Sequence, residues 1–312
     1  MRQLFLTTVR HAIAPIALVL AAAAGTSATA QDTFATPDEA VTALVSAVRS
    51  EDPGEAIVKL LGPDGRDVAS SGDEIDDKAR RDRFLTSFEE GHSLQAEGDK
   101  RTLVLGKDEY PFPIPLVQAD GKWRWDTAAG LDQIFTRRIG ENELSAIEVM
   151  RTYVAAQFEY AERPRDSRGL QYARRLMSRD GRKDGLYWEA AEGEPESPIG
   201  PLIAKAQLEG YKGKAKPEDG QANYHGYVYR MLYGQGKNAA DGARDYIVND
   251  RMIGGFALIA TPADYGNSGV MTFIINQDGV VYEKDLGPES RQEAAQIRLF
   301  DPDPSWKKVH SE

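Results

Sequence analysis

Cysteine is absent from this 312-residue chain, so neither a disulfide nor a thiol-linked lipid anchor is open to it. Histidine is scarce. His92, His225 and His310 follow the first thirty residues and stand far apart, which argues against the three or four closely spaced ligands of a zinc site. Cations are outnumbered: 38 Lys and Arg against 49 Asp and Glu leave a formal charge of -11, a balance that disfavours nucleic acid and anionic membrane surfaces. Long apolar runs are missing too. The longest, "AIAPIALVLAAAA", covers 13 residues, against about 20 for a spanning helix.

Catalytic signatures are equally short of parts. Gly236-Lys237 is followed by Asn238, and Met231 stands where the first phosphate-loop glycine belongs. Gly266-Asn267-Ser268-Gly269 approaches a nucleophile elbow, but Val270 takes the last glycine position and the segment links two strands. Ser305-Trp306-Lys307-Lys308 spells S-x-x-K in a Pro-broken terminal segment without its companion motifs. Asp73, Asp76 and Asp77 offer oxygens for calcium but lack the ordered spacing and closing Glu of a calcium loop, so they read as a solvated acidic turn. No catalytic residue, metal ligand or cofactor is assigned.

What is present begins with an address. Arg2 and Arg10, the apolar run and the small-residue exit Ala28-Thr29-Ala30 are the parts of a secretory signal peptide. They predict cleavage after Ala30, a mature chain from Gln31 with no membrane span, and residence in the periplasm or outside the cell.

Residues 31–138 read as helices followed by sheet. Thr36 caps a helix with Pro37 in its first turn and Glu39 closing a capping box, and Val41, Leu44, Val45 and Val48 form its apolar face. Pro53 and Gly54 interrupt, a shorter helix with Ile57, Leu60 and Leu61 ends at Gly62-Pro63, and a third carries Phe84, Leu85 and Phe88 and ends in the polar surroundings of His92. Strands are expected after Gly98, with a turn at Asp120-Gly121, and Pro111, Pro113 and Pro115 place one segment at an edge. This order resembles the nuclear-transport-factor-two-like fold, which implies a helices-plus-curved-sheet cone that often holds a pocket.

Residues 139–312 make a second unit. Gly140 and Asn142 punctuate the bridge, and a long helix is expected from about Glu143 to Arg163-Pro164. A loop-rich stretch from Arg165 to Gln221 follows, with short helices at "LQYARRLMS" and "PLIAKAQLE". Then come "NYHGYVYRMLYG", "GGFALIATPA" and the hairpin "GVMTFIINQDGVVYEKDL", an antiparallel β-meander under the long helix. The layout resembles the head of a type IV pilin or pseudopilin without its N-terminal apolar helix. The fold class is therefore α+β in two domains.

His225, Tyr227 and Tyr229 alternate on one strand face, and with Tyr265 and Tyr282 they are the candidate interface or ligand contacts, since Tyr is enriched at interfaces. Arg137, Arg138 and Glu143 are candidates for pairing across the domain junction. The words "FATPDEAV", "GKDEYPFPIPLV", "GKWRWDTAAG", "DGLYWEAAEGEPESPIGPL" and "YHGYVYRML" resemble a family of exported bacterial proteins classed only as a domain of unknown function, series 2950. The expectation is a non-enzymatic binding or assembly module of the bacterial envelope, with an envelope protein as partner. The alternatives are a small-ligand-binding protein or a hydrolase- or isomerase-type enzyme using the cone, and an accessory factor of a secretion or pilus machine.

Overall fold

The computed structural model describes residues 31–164, 167, 169–211 and 221–310; the expected leader and its cleavage point after Ala30 lie outside them. The fold is α+β. Four helices come first: α1 (Pro37–Arg49), α2 (Pro53–Leu61), α3 (Gly65–Ala69) and α4 (Glu74–Glu90). Thr36 Oγ1 accepts from the Glu39 main chain at 3.2 Å, while the Glu39 carboxylate reaches back to Ala35 N at 3.0 Å, one residue beyond the usual capping box.

An antiparallel sheet of β1 (His92–Glu97), β2 (Lys100–Leu105), β3 (Tyr110–Pro111), β4 (Leu116–Ala119) and β5 (Lys122–Trp125) follows in the order β1-β2-β4-β5, with β3 on β2. Strand structure thus starts at His92 and not after Gly98. His92 is the first residue of β1, exposed, with its ring stacked on Phe88 at 3.7 Å.

α5 (Thr127–Ala161) then runs unbroken for 35 residues. The expected start at Glu143 is wrong by four turns, because Gly140 and Asn142 do not stop the helix. A helical glycine costs only about 1 kcal/mol against alanine, and the neighbouring residues have tertiary partners that outweigh it. α6 (Gly200–Glu209) matches the expected "PLIAKAQLE" helix. The "LQYARRLMS" segment is not helical; Tyr172 and Met177 lie in isolated β-bridges to Met252 and Tyr187. Its helix-like spacing loses to hydrogen bonds made elsewhere: the buried Gln157 of α5 holds Ala173 through both main-chain groups, at 2.8 and 3.0 Å.

The remaining strands are β6 (Gln221–Tyr224), β7 (Tyr227–Leu232), β8 (Gly234–Gln235), β9 (Arg244–Asp245), β10 (Ile247–Val248), β11 (Arg251–Met252), β12 (Ala257–Pro262), β13 (Met271–Asn276) and β14 (Tyr282–Asp285), then α7 (Ser290–Gln296) and β15 (Lys307–Lys308). Six of them form one antiparallel sheet, β15-β14-β13-β12-β7-β6. β12 is buried at every position and β13 at all but its first, so these central strands are covered on both faces. α5 and α7 both pack against β12.

Apolar burial falls into two clusters. One gathers Leu44, Ile57, Leu103, Leu116 and Trp125; the other gathers Met150, Tyr153, Tyr227, Phe256 and Phe273. α5 serves both, with Ile134 against the first and Ala146 onward in the second. Phe256 is fully buried and meets Tyr153, Phe158 and Tyr172 edge-on with centroids 4.8 to 5.6 Å apart. Phe256→Ala should therefore lower stability by about 3–5 kcal/mol, read as a lower denaturant midpoint at unchanged slope.

Candidate functional site

The side chains that α5 presents near its middle join the two halves of the chain. Arg138 and Asn142 are one helical turn apart and share a face. Arg138 is only 3 % exposed. Its Nη1 donates to Asp67 O at 2.8 Å and to the Asn267 side-chain oxygen, and its Nη2 donates to Val68 O at 3.0 Å. Asp67 and Val68 lie at the end of α3, where free carbonyls carry partial negative charge and suit a cation. Asn267 then donates to Ser70 O at 3.1 Å and Asp264 Oδ2 at 3.0 Å.

Asn142 donates to Ser268 O at 2.8 Å and accepts from Arg80, which also holds Asp76 and Glu141 at 2.8 Å each. One Glu143 oxygen accepts from the main chain of Val270 and Met271 at 3.0 and 2.9 Å. Arg138 and Glu143 thus stand at the junction. Arg137 does not cross it: its guanidinium lies 4.5 Å above the Tyr110 ring.

The turn between β6 and β7 docks on the same junction. His225 and Gly226 both have positive φ, 48° and 69°, as a two-residue hairpin turn of this twist requires. His225 is therefore a turn residue and not part of a strand face with Tyr227. Gly226 is doubly constrained, since a Cβ there would lie 2.6 Å from Asn142 Nδ2. Asp73 caps α4 and also accepts from Tyr211 OH at 2.6 Å and Gly226 N at 3.1 Å.

The predicted aromatic face is not assembled. Tyr227 and Tyr229 are 0 % and 3 % exposed and belong to the second core. Tyr265 and Tyr282 are half-buried; Tyr265 donates to Asp285 at 3.2 Å, and Tyr282 packs edge-on against Phe300. His225 is half-buried beside Tyr224, its Nε2 3.4 Å from Glu209. Ser268, from the elbow-like motif, is fully buried and hydrogen-bonded to both main-chain groups of Asp264. The acidic run is not a solvated turn: it opens α4 with Asp76 and Asp77 buried, and its carboxylates go to separate partners, Asp73 on the cap, Asp76 on Arg80, Asp77 on Ser71. Among the described residues no three His, Asp or Glu converge as metal ligands.

Beside the junction, a cavity of about 180 Å³ opens inside the first core. Leu44, Ile57, Leu61, Phe84, Phe112 and Ile134 line it, and Asp77, Arg80, Arg81 and Arg138 add charge to its wall. Small-molecule sites are larger, about 300–1,000 Å³. Neither main charge is idle. Both Asp77 oxygens accept from Ser71 N at 3.1 and 3.0 Å. Burial raises the Asp77 carboxyl above its ordinary range, opposed by Ser71 and by Arg138; burial likewise lowers Arg138, opposed by Asp77.

Asp77 was legible only as part of an acidic run, because its burial depends on helices brought together from elsewhere. Motif reading also passes over "ARRLMSRDGRK", whose signal was a dense run of cations in an acidic chain.

A family model described as a protein of unknown function (DUF2950) matches residues 31–309. The chain belongs to that family. No curated protein and no solved structure matches it. The matched span includes both apolar clusters and the residues that join them.

Two outcomes follow from this geometry. A double-mutant cycle of Arg138→Met with Asn267→Ala should give a coupling energy of about 1–3 kcal/mol; additive losses would show that the contact carries no stability. For Asp77, a raised folded-state value means that the native chain holds the proton more tightly than the unfolded one. Stability from this group is then lost as pH rises above the ordinary carboxylate value. Asp77→Asn should accordingly gain on the wild type, in melting temperature, over the interval from about pH 4 upward. A difference that stays flat or shrinks over that interval would contradict the assignment.

Proposed function

We propose that this protein is an exported, non-enzymatic binding or assembly module of the bacterial cell envelope. The observation that carries the reading is the buried Arg138 bridge, which ties α3 and the 263–270 loop to one helix. Two sheets held at one orientation present two surfaces whose spacing a partner can read, and binding to a preset surface avoids the ordering cost of a hinged one. The leader-like first thirty residues support export.

Crosslinking the tagged protein in its own envelope should return one protein partner. Arg138→Met should abolish that capture while circular dichroism keeps its native form. Capture that survives Arg138→Met, or a chain that stays in the cytoplasm with residues 1–30 attached, would remove the reading.

The cavity favours a second reading, a small apolar ligand of a few heavy atoms held in the first core beside Asp77 and Arg138. Filling it with Val48→Phe separates the two. Partner capture survives under the first reading; under the second, binding of a small apolar probe such as benzene to the purified protein is lost although its fold does not change.

A further inference from the structure

A concentration of positive charge lies away from the junction. A cleft of about 450 Å³ is walled by Arg174, Arg175, Arg179, Arg182 and Lys183, with Asp184 and Asp250 as the carboxylates among them. Five cations against two acids give this wall a formal charge of +3, in a chain whose total is -11. The volume falls within the range of about 300–1,000 Å³ typical of small-molecule sites, and a concave wall of one sign focuses its field on the space it encloses.

The wall is built on fixed backbone. Gln157 clamps Ala173, immediately before the first arginine. Leu186 N donates to Arg175 O at 3.0 Å, Tyr187 N to Leu176 O at 2.9 Å, and Ser178 N to Tyr187 O at 2.8 Å. Gly185 lies so close that a Cβ there would come within 2.6 Å of Met177 and Ser178 main-chain atoms. Across the cleft, Asp250 sits in the β10–β11 turn, at φ 60°, and receives Arg174.

Three of the cations are paired internally, Arg174 with Asp250, Arg179 with Asp184 and Lys183 with Glu194 at 2.8 Å, which leaves Arg175 and Arg182 as the surplus. Asp184 is engaged by Arg179 at 2.6 Å; burial pushes its carboxyl up, but the Arg179 hydrogen bonds outweigh this and hold it below its ordinary value. Arg175 reaches the same carboxylate only at 3.9 Å, with its own side chain 52 % exposed. Guanidinium groups so placed are planar forks suited to bidentate binding of carboxylate or phosphate oxygens.

We infer that this cleft is a binding site for a small organic or inorganic molecule carrying two or more carboxylate or phosphate groups. The inference does not depend on where the protein resides or on the junction.

Isothermal titration of the mature chain with citrate and with pyrophosphate, at constant ionic strength and with acetate as the monoanion control, tests it. At least one probe should bind clearly tighter than acetate. Arg175→Gln and Arg182→Gln alter exposed side chains without touching the Gln157 clamp, and each should weaken binding about tenfold. The preferred probe distinguishes a carboxylate from a phosphate ligand, and either preference supports the site. Neither probe exceeding acetate, or affinity unchanged in a natively folded Arg175→Gln/Arg182→Gln double variant, would overturn it.

Discussion

A guanidinium removed from water needs hydrogen-bond partners, and that demand at Arg138 organises the middle of this protein: both Nη groups are met, while the buried Nε is left without a partner. A buried charge without partners costs several kcal/mol, so α3, the 263–270 loop and α5 have to meet in one arrangement before the fold is worth forming. Most of the bonds end on main-chain oxygens and not on carboxylates. Glu143 does the converse, gathering two main-chain N–H groups. The junction therefore recognises the course of the backbone more than the side chains it carries, and the Gly226 turn fits beneath it only because it has no Cβ.

Two electrostatic environments among the described residues solve different problems. At the junction, Asp77 and Arg138 oppose each other's burial and both are committed to neighbouring backbone. In the 174–184 cleft the cations are half-exposed and exceed the acids beside them. The first arrangement spends its charge on internal order; the second keeps charge facing solvent, where an incoming anion meets it.

Much of the architecture was readable beforehand, for identifiable reasons. Thr36-Pro37 and Asp278-Gly279 are local signals, and local signals survive folding: the helix starts at Pro37 and the β13–β14 hairpin turns at Gly279. Where tertiary partners decide, pattern misleads. Gly140 and Asn142 look like punctuation yet sit inside α5, since Asn142 is needed on a helical face to reach Ser268. The "LQYARRLMS" run has helical spacing but its main chain is taken by Gln157 and Tyr187. His225-Gly226 was read as part of a strand because turn glycines and strand glycines look alike in one dimension. Arg138 and Glu143 were visible as junction candidates by position alone; their partners at 67–68 and 267–271 are far off in sequence, and only the folded chain brings them together.

α5 contributes to both apolar clusters, and this bears on how the chain acquires its shape. Starting a helix is costly and extending one is cheap. Whichever half collapses first leaves a ready helical end projecting into the other, so the second collapse begins from a template and skips nucleation. A polypeptide with two hydrophobic centres would ordinarily have two independent starts; here a single shared rod of about 50 Å makes each start the seed of the next.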